Sequence, residues 1–393
     1  GATDSYSPSE RSTLAESLNK LCDAYYAEGD VEYAGRYLFS GYMTDTPLTY
    51  QSDETAAKAD FTITQEFTRE NIELKTVYTN AYSNDDILNL NVKTDAATGN
   101  VITPNVADVH RVRIGYTKVS DAGTFEIKLN DGTTIAAAAV NDSNYQPGDD
   151  EAAFNAATGE ILLGENVYKQ LYASDGFSFT YRKDNFAKGD LNPVMYYDCV
   201  DNNPDNAGVV YTKKTEDIEY NINFSQKLKV NTEANEVFNM YLGRDIDDLI
   251  TSVNNVIDIE AQLEKVEGML KQDIYSDKDS QSKLNSIKEG LTKQNELAKE
   301  EMKNRFEYCV GTMQGYQEQA SLAKADAGNR MTRLNLTKSR LTEQKTNFTN
   351  LKSENEDIDL EEVVVGYSAA QLVYNASLTA ASKVIQQTLL DFL

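Results

Sequence analysis

Side chains that could perform acid–base or nucleophilic chemistry are few in this chain of 393 residues. His110 is its one histidine, and Ser–His–Asp or Cys–His catalysis would depend on it. Cys22, Cys199 and Cys309 form no C-x-x-C pair and are widely spaced, which argues against a zinc ribbon, a thioredoxin-type site or a disulfide framework. We interpret His110 as structural and the cysteines as ordinary thiols.

Two acidic segments resemble ion sites only in part. Residues 201–206 begin like a calcium loop, but Asn206 stands where that loop needs glycine and Thr212 where it needs glutamate. Residues 149–151 are acidic, and such clusters are usually solvated loops. No phosphate-binding glycine motif occurs, and carboxylates are too abundant for proximity in sequence to select a glycosidase pair. We therefore predict no catalytic residue, metal or cofactor, and a protein that is not an enzyme.

The net charge of the chain limits the kinds of partner that it can bind. The chain has 63 acidic and 37 basic residues, a net charge of -26, which repels nucleic acid and anionic membranes. Residues 363–382 carry no charge but are rich in Ser, Gln, Asn and Thr, so we expect no membrane insertion. The first residues have neither the basic end nor the apolar run of a cleaved signal peptide.

All six prolines lie before residue 205, and this divides the chain into two parts. The elements that would position any site follow that division. Ser7 and Glu10 form a capping box that predicts a helix, with Leu14, Leu18, Leu21 and Tyr25 on one face. Alternating apolar residues predict strands at 61–63, 112–116 and 218–224. Residues 125–135 and 154–161 predict hairpins, and 165–172 a short helix.

Residues 236–393 are predicted to be helical. The first of these helices has a 4-3 seam that includes Leu249, Val256 and Leu263; Leu334, Leu341 and Phe348 follow seven residues apart on a second helix. Ser353 and Glu356 form another capping-box pattern. We predict an α+β fold in which both chain ends form a long antiparallel helical bundle or coiled coil around an inserted β-rich domain. A bundle and a β domain joined as separate beads is the alternative.

The predicted domain boundaries follow from this division. Residues 1–47 and 236–353 would form the two parts of a helical core domain, residues 48–235 a β-rich insertion, and residues 354–393 a C-terminal assembly helix.

The last segment has an apolar stripe and little charge on its other faces. A 4-3 stripe usually means burial within its own domain, but a helix that is apolar on most sides needs cover all round. We therefore predict an interface with other molecules, formed by Leu360, Val364, Tyr367, Tyr374, Leu378, Ala381, Ile385, Leu389 and Leu390.

Two sets of residues resemble the flagellin superfamily. Asn329–Arg330, the Glu-Asp-Ile-Asp-Leu of 356–360 and the final Leu-Leu-Asp-Phe-Leu of 389–393 are similar to the C-terminal helix of flagellins and their relatives. Tyr-Ala-Gly-Arg-Tyr-Leu-Phe-Ser-Gly-Tyr at 33–42, followed by Thr-Pro at 46–47, resembles hook-associated protein 3, the hook–filament junction subfamily, whereas flagellins usually carry Phe-Asn-Gly there.

The resemblance implies further expectations. Residues 218–238 are similar to the β segment that returns to the helical core, and about 80–200 would be a variable outer domain. Gly1 would lie inside the family's second N-terminal helical region, so an N-terminally truncated chain is expected.

The expected function is a junction adaptor between hook and filament, outside the cell and exported without a cleaved signal. Its implied partners are sister subunits in a ring, a hook-side junction protein, flagellin and a flagellar export chaperone. A flagellin that forms the filament itself, and a secreted carbohydrate-binding or degrading protein with a helical stalk, are the alternatives.

Overall fold

The computed structural model describes residues 7–357 and 359–390, with side chains of the last helix described through Lys383. Eight α-helices occur within these ranges: α1 Pro8–Ala27, α2 Asp53–Ala57, α3 Asn84–Leu88, α4 Glu165–Ala173, α5 Ala234–Val237, α6 Tyr241–Leu270, α7 Lys278–Glu356 and α8 Leu360–Leu390.

Fourteen strands lie within the same described ranges: β1 Glu32–Tyr33, β2 Arg36–Tyr37, β3 Phe61–Phe67, β4 Ile72–Thr79, β5 Asn105–Arg113, β6 Phe125–Leu129, β7 Thr134–Ala139, β8 Ala152–Asn155, β9 Glu160–Leu163, β10 Phe177–Lys183, β11 Asp198–Asp201, β12 Val210–Tyr211, β13 Glu219–Asn223 and β14 Gln226–Lys229. Ten of them form one sheet in the order β12-β11-β3-β10-β6-β7-β8-β9-β5-β4. Its neighbours are antiparallel except β7 and β8, which are parallel. The α+β class is thereby confirmed.

Local chemistry explains the elements that the sequence predicted correctly. The Glu10 N–H donates to Ser7 Oγ at 3.4 Å and the Ser7 N–H to Glu10 Oε2 at 2.7 Å, so the capping box begins α1. Gly132 (φ +90°) and Gly159 (φ +64°) occupy the left-handed region in the turns of the β6–β7 and β8–β9 hairpins, where glycine carries no steric penalty. The predicted helix at 165–172 is α4.

The contact face of α1 lies beside the predicted one, and Leu14, Leu18 and Tyr25 are only partly buried at its edge. Leu21 is exposed, whereas Ala15, Cys22 and Tyr26 are buried together with Arg11. Small residues allow a close approach to α6, where Gly243 lies against Cys22 and Tyr26. Apolar spacing missed this face because one of its members is an arginine, which pairs with Glu260 of α6.

Helices α6 and α7 pack antiparallel, as the pairs Glu267–Lys288 and Glu260–Lys299 show. The predicted seam of α6 is buried at Leu249 and Val256, whereas Leu263 is only partly buried at the edge of the contact. Beyond Val256 the buried face runs through Ile259, Val266 and Met269 and meets Leu284, Ile287, Leu291 and Ala298 of α7. An untwisted helix has 3.6 residues per turn, so a strict 3.5-residue seam drifts off the buried face.

A buried ionic network joins the sheet to α6. Arg113 on β5 donates to Glu73 on β4 and, from Nη1, to Asp245 Oδ1 at 2.8 Å and Asp248 Oδ2 at 3.3 Å on α6. Neighbouring Arg111 pairs with Glu160 and also with Asp248. Burial alone would raise the pKa of the Asp248 carboxyl, but Arg111 and Arg113 hold it below its usual range. The acid is therefore ionised and fixes where α6 crosses the sheet.

Contacts divide the chain into two compact units. The first contains residues 1–220 and 229–327, and the second contains 221–228 and 328–393. The division therefore falls within α7, after Ala327. The domain boundaries predicted at 48, 236 and 354 remain predictions.

Gly164, just before α4, has no room for a side chain. A Cβ there would lie 1.9 Å from the carbonyl oxygen of Gly148 and 2.7 Å from that of Asp149, and both are backbone atoms. We expect Gly164→Ala to lower the free energy of unfolding by about 1–3 kcal/mol, as overpacking does. Urea denaturation would measure it. Gly148→Ala is the matched control, since its Cβ would meet only the Glu151 side chain, at 3.8 Å. Equal stability of the two variants would contradict the prediction.

Candidate assembly interface

The second unit contains a hairpin tip and a groove on α7. Leu228 of β14 is buried, whereas Phe224 in the turn is fully exposed. Thr337 is 4% exposed on a helix segment whose other residues are exposed, and Ile222 lies beside it. The open groove measures about 490 Å³ and is lined by Ile222, Leu334, Asn335, Thr337, Lys338, Leu341, Thr342 and Lys345.

The lining of this groove combines apolar and basic side chains. Leu334 and Leu341 stand one helical heptad apart and are 46% and 43% exposed. Lys338 lies four residues after Leu334, and Lys345 four residues after Leu341, so all four side chains are on the same side of the helix. Arg340 donates to Gln226 Oε1 at 3.4 Å, which ties the hairpin to α7.

Helix α8 exposes apolar side chains around its circumference. Leu360, Val364, Tyr367, Tyr374 and Leu378 of the predicted interface are between 52% and 75% exposed, and Ala381 is exposed as well. Residues outside the predicted stripe are equally uncovered: Val363, Val365, Leu372 and Val373. So continuous an apolar surface exceeds what a monomeric soluble protein usually presents, which makes α8 a candidate interaction surface.

Asp359 begins α8. Its Oδ1 accepts from the backbone N–H of Glu361 at 3.0 Å and of Glu362 at 3.4 Å. The sequence pattern placed a helix start at Ser353 instead, but Ser353 lies inside α7 and its hydroxyl bonds the Asp357 carboxylate. The capping patterns at Ser353 and Asp359 lie within a few residues of each other, and only the backbone conformation shows which of them begins a helix.

Three predicted interface positions cannot be compared. Ile385, Leu389 and Leu390 belong to the α8 backbone, but their side chains lie outside the described residues. The groove on α7 was not predicted as a site. Its signal was visible in the seven-residue spacing of Leu334, Leu341 and Phe348, but the contribution of Ile222 arises only in the fold.

His110 occupies a packed position on β5. Its ring stacks on Tyr168, with centroids 3.5 Å apart and planes 7° apart, and its Nε2 lies 3.6 Å from Glu165 Oε2. Neither contact is part of a Ser–His–Asp or Cys–His arrangement, and the structural role of His110 remains a prediction.

All three cysteines are buried, and burial raises the pKa of Cys22 and Cys199 to about 12 and of Cys309 to about 11. At pH 8 nearly all of each thiol is protonated, and the thiolate is the reactive form. We therefore expect the native protein to react slowly with a disulfide reagent and the urea-unfolded protein to release three equivalents quickly. Rapid labelling of one thiol in the native protein would contradict this.

Side chains of the two acidic segments accept hydrogen bonds from nearby residues of the chain. Asp201 Oδ1 accepts from the Asn203 N–H at 2.9 Å, and Asn203 Oδ1 accepts from the Asp205 N–H at 3.0 Å. Glu151 accepts from the Tyr145 hydroxyl at 2.7 Å. Within 7–357 and 359–390, no group of three His, Cys, Asp or Glu residues could hold a metal ion.

Two small pockets lie in the first unit. One of about 170 Å³ is lined in part by Tyr26, Asp190 and Asp247, and one of about 150 Å³ in part by Tyr50 and Asp201. Both are smaller than the roughly 300–1,000 Å³ usual for ligand sites. The carbohydrate alternative and the absence of enzymatic activity remain predictions.

No described helix is long and apolar enough to cross a membrane. Neither the family models nor the curated proteins compared with this chain match it. Among solved structures, it is similar to a crystal structure of FlgL from Xanthomonas campestris, with 12% identity over 85% of this chain and 84% of that chain, and a TM-score of 0.18. FlgL is hook-associated protein 3. A TM-score this low supports no step from FlgL to the fold or function of this chain.

Proposed function

We propose that this protein is a structural subunit that assembles with copies of itself through α8, as part of the bacterial flagellum. The observation that supports self-assembly is the exposed apolar surface of α8, which carries no charge between residues 363 and 382. The flagellar setting rests on the resemblance of residues 33–42 and 329–393 to the flagellin superfamily.

Energetics favour an interaction that covers α8 on several sides. Ordering a helix costs about 1–2 kcal/mol per residue, and each fully buried Leu, Ile or Val contributes about 1.5–3 kcal/mol. A helix contacted along one edge gains too few buried side chains to offset that cost. Packing among several neighbouring helices buries side chains on every face and offsets a much larger share of that cost.

The finer proposal is a ring-forming junction adaptor between hook and filament. Its partners would be sister subunits, a hook-side junction protein, flagellin and, before export, a chaperone that covers the terminal helix. It would act outside the cell. The Tyr-Ala-Gly-Arg-Tyr sequence at 33–37 supports this over a flagellin, which usually carries Phe-Asn-Gly there.

Sedimentation velocity of the chain over a wide concentration range tests self-assembly. We expect species larger than a monomer that increase with concentration, because mass action drives the burial of α8. A single monomeric species at every concentration would refute the proposal.

Copy number separates the two flagellar roles. Quantitative mass spectrometry of purified flagella should find a junction protein as a trace component, located by immunogold labelling where hook and filament meet. The dominant component of the filament would instead be a flagellin. Absence from flagella would refute both.

A further inference from the structure

The groove on α7 lies in a basic stretch of an acidic chain. Residues 328–345 contain five basic residues, Arg330, Arg333, Lys338, Arg340 and Lys345, against one acidic residue, Glu343. The two lysines among them line the groove. Neither lysine has an ion-pair partner within the part of the chain that the structure describes. The groove therefore suits an occupant that is both acidic and apolar.

The junction between α7 and α8, with the first turn of α8, has that chemistry. Residues 354–362 contain six acidic residues, Glu354, Glu356, Asp357, Asp359, Glu361 and Glu362, and no basic one. Leu360 and Val364, beside the last two, are 75% and 53% exposed. No other part of α8 combines the two features, since residues 363–382 are uncharged.

The linker between α7 and α8 is too short for the first turn of α8 to reach both lysines of the groove in the same chain. With a rise of about 1.5 Å per residue, Lys338 lies about 27 Å back along α7 from Glu356. Three residues lie between α7 and α8, so Leu360 is four residue steps from Glu356 and at most about 14 Å away when they are extended. The remaining gap of about 13 Å exceeds the combined reach of a lysine and a glutamate side chain, about 10 Å. A groove that engages both lysines must therefore receive this segment from another molecule.

We propose that the α7 groove binds the first turns of α8 from a second copy of this chain. Leu360 and Val364 lie on Leu334 and Leu341, while Glu361, which flanks them on the helix surface, pairs with a groove lysine. Glu362 lies on the far side of the helix and adds negative charge to the same helix start. The contact joins two different surfaces, so it repeats from copy to copy and generates a ring or a filament. This inference rests on the proposed self-assembly and names the surface that α8 meets.

A charge swap between two chains tests it. Lys338→Glu with Lys345→Glu makes the groove acidic, and Glu361→Lys with Glu362→Lys makes the helix start basic. Like charges then face each other, and we expect each variant alone to associate at least about tenfold more weakly than the unchanged chain. Mixed in equal amounts, the variants should regain association, because the acidic groove of one accepts the basic helix of the other. Sedimentation velocity at low ionic strength measures all four samples, and Lys293→Glu with Lys303→Glu on the exposed face of α7 is the charge-matched control.

The outcomes separate the two proposals. Recovery in the mixture supports a second copy as the occupant. If both charge variants associate as strongly as the unchanged chain, or as the control does, the groove contact is refuted while self-assembly through α8 stands. If association returns only when all four substitutions are placed on one chain, the contact is intramolecular and the inference is overturned. An unchanged chain that stays monomeric refutes the proposed function itself.

Discussion

Replacing Leu378 with aspartate should abolish self-association while the first unit stays folded. Leu378 is 52% exposed in the single chain and lies within the uncharged part of α8. Burial of a leucine contributes about 1.5–3 kcal/mol, and an unpaired carboxylate in the same contact costs several kcal/mol more. A total loss of about 4 kcal/mol weakens association roughly a thousandfold.

Sedimentation velocity would measure this effect and circular dichroism the folding of the variant. Leu378→Met keeps an apolar side chain of similar volume and should associate normally. Asn350→Asp adds the same charge on the exposed surface of α7, and it should also associate normally. Normal assembly of Leu378→Asp would remove this face of α8 from the interface.

Replacing Arg113 with leucine should lower the free energy of unfolding by about 3–5 kcal/mol, the usual cost of removing one member of a buried ion pair. Arg113 is 6% exposed and Asp245 is 1% exposed, so water cannot replace the lost donors. The remaining Tyr316 hydroxyl donates to Asp245 at 2.7 Å but carries no charge. The carboxylate of Asp245 would then stay buried without its cation, and the partly exposed Glu73 would keep only Arg111, at 3.5 Å.

Urea denaturation followed by tyrosine fluorescence would measure the loss. Arg182→Leu is the matched control, because Arg182 sits on β10, pairs with Asp60 at 2.6 Å and is 50% exposed. A pair that is half exposed contributes about 0.2–1 kcal/mol. If both substitutions cost the same, the network at the α6 crossing is not what fixes the helix on the sheet.

Features that depend on near neighbours in the chain could be predicted. The Ser7–Glu10 box, the Asp131–Gly132 turn and the helix at 165–172 each follow from residues a few positions apart. The buried faces of the helices were harder to predict from the sequence. The buried side of α1 contains Arg11 and Cys22. Of the predicted stripe, Leu18 and Tyr25 are partly buried and Leu21 is exposed, so hydrophobic spacing found only the edge of the contact face.

Features that depend on distant residues could not be predicted. The parallel pairing of β7 with β8 interrupts an otherwise antiparallel sheet, and no residue pattern distinguishes the two arrangements in such short strands. The ionic network joins Glu73, Arg113 and Asp245, separated by up to 172 positions in a chain rich in carboxylates. Among 63 acidic residues, nothing local selects these.

The sequence by itself determined that the chain has an acidic surface, a β-rich middle and a terminal helix too apolar to be stable alone, because composition and periodicity act residue by residue. Only the tertiary structure decided which carboxylates are buried, which faces of α1 and α6 meet, and that Ile222 completes a groove on α7. Those features require groups far apart in the chain to be brought within a few ångströms, and the free energy of that approach is shared among many contacts.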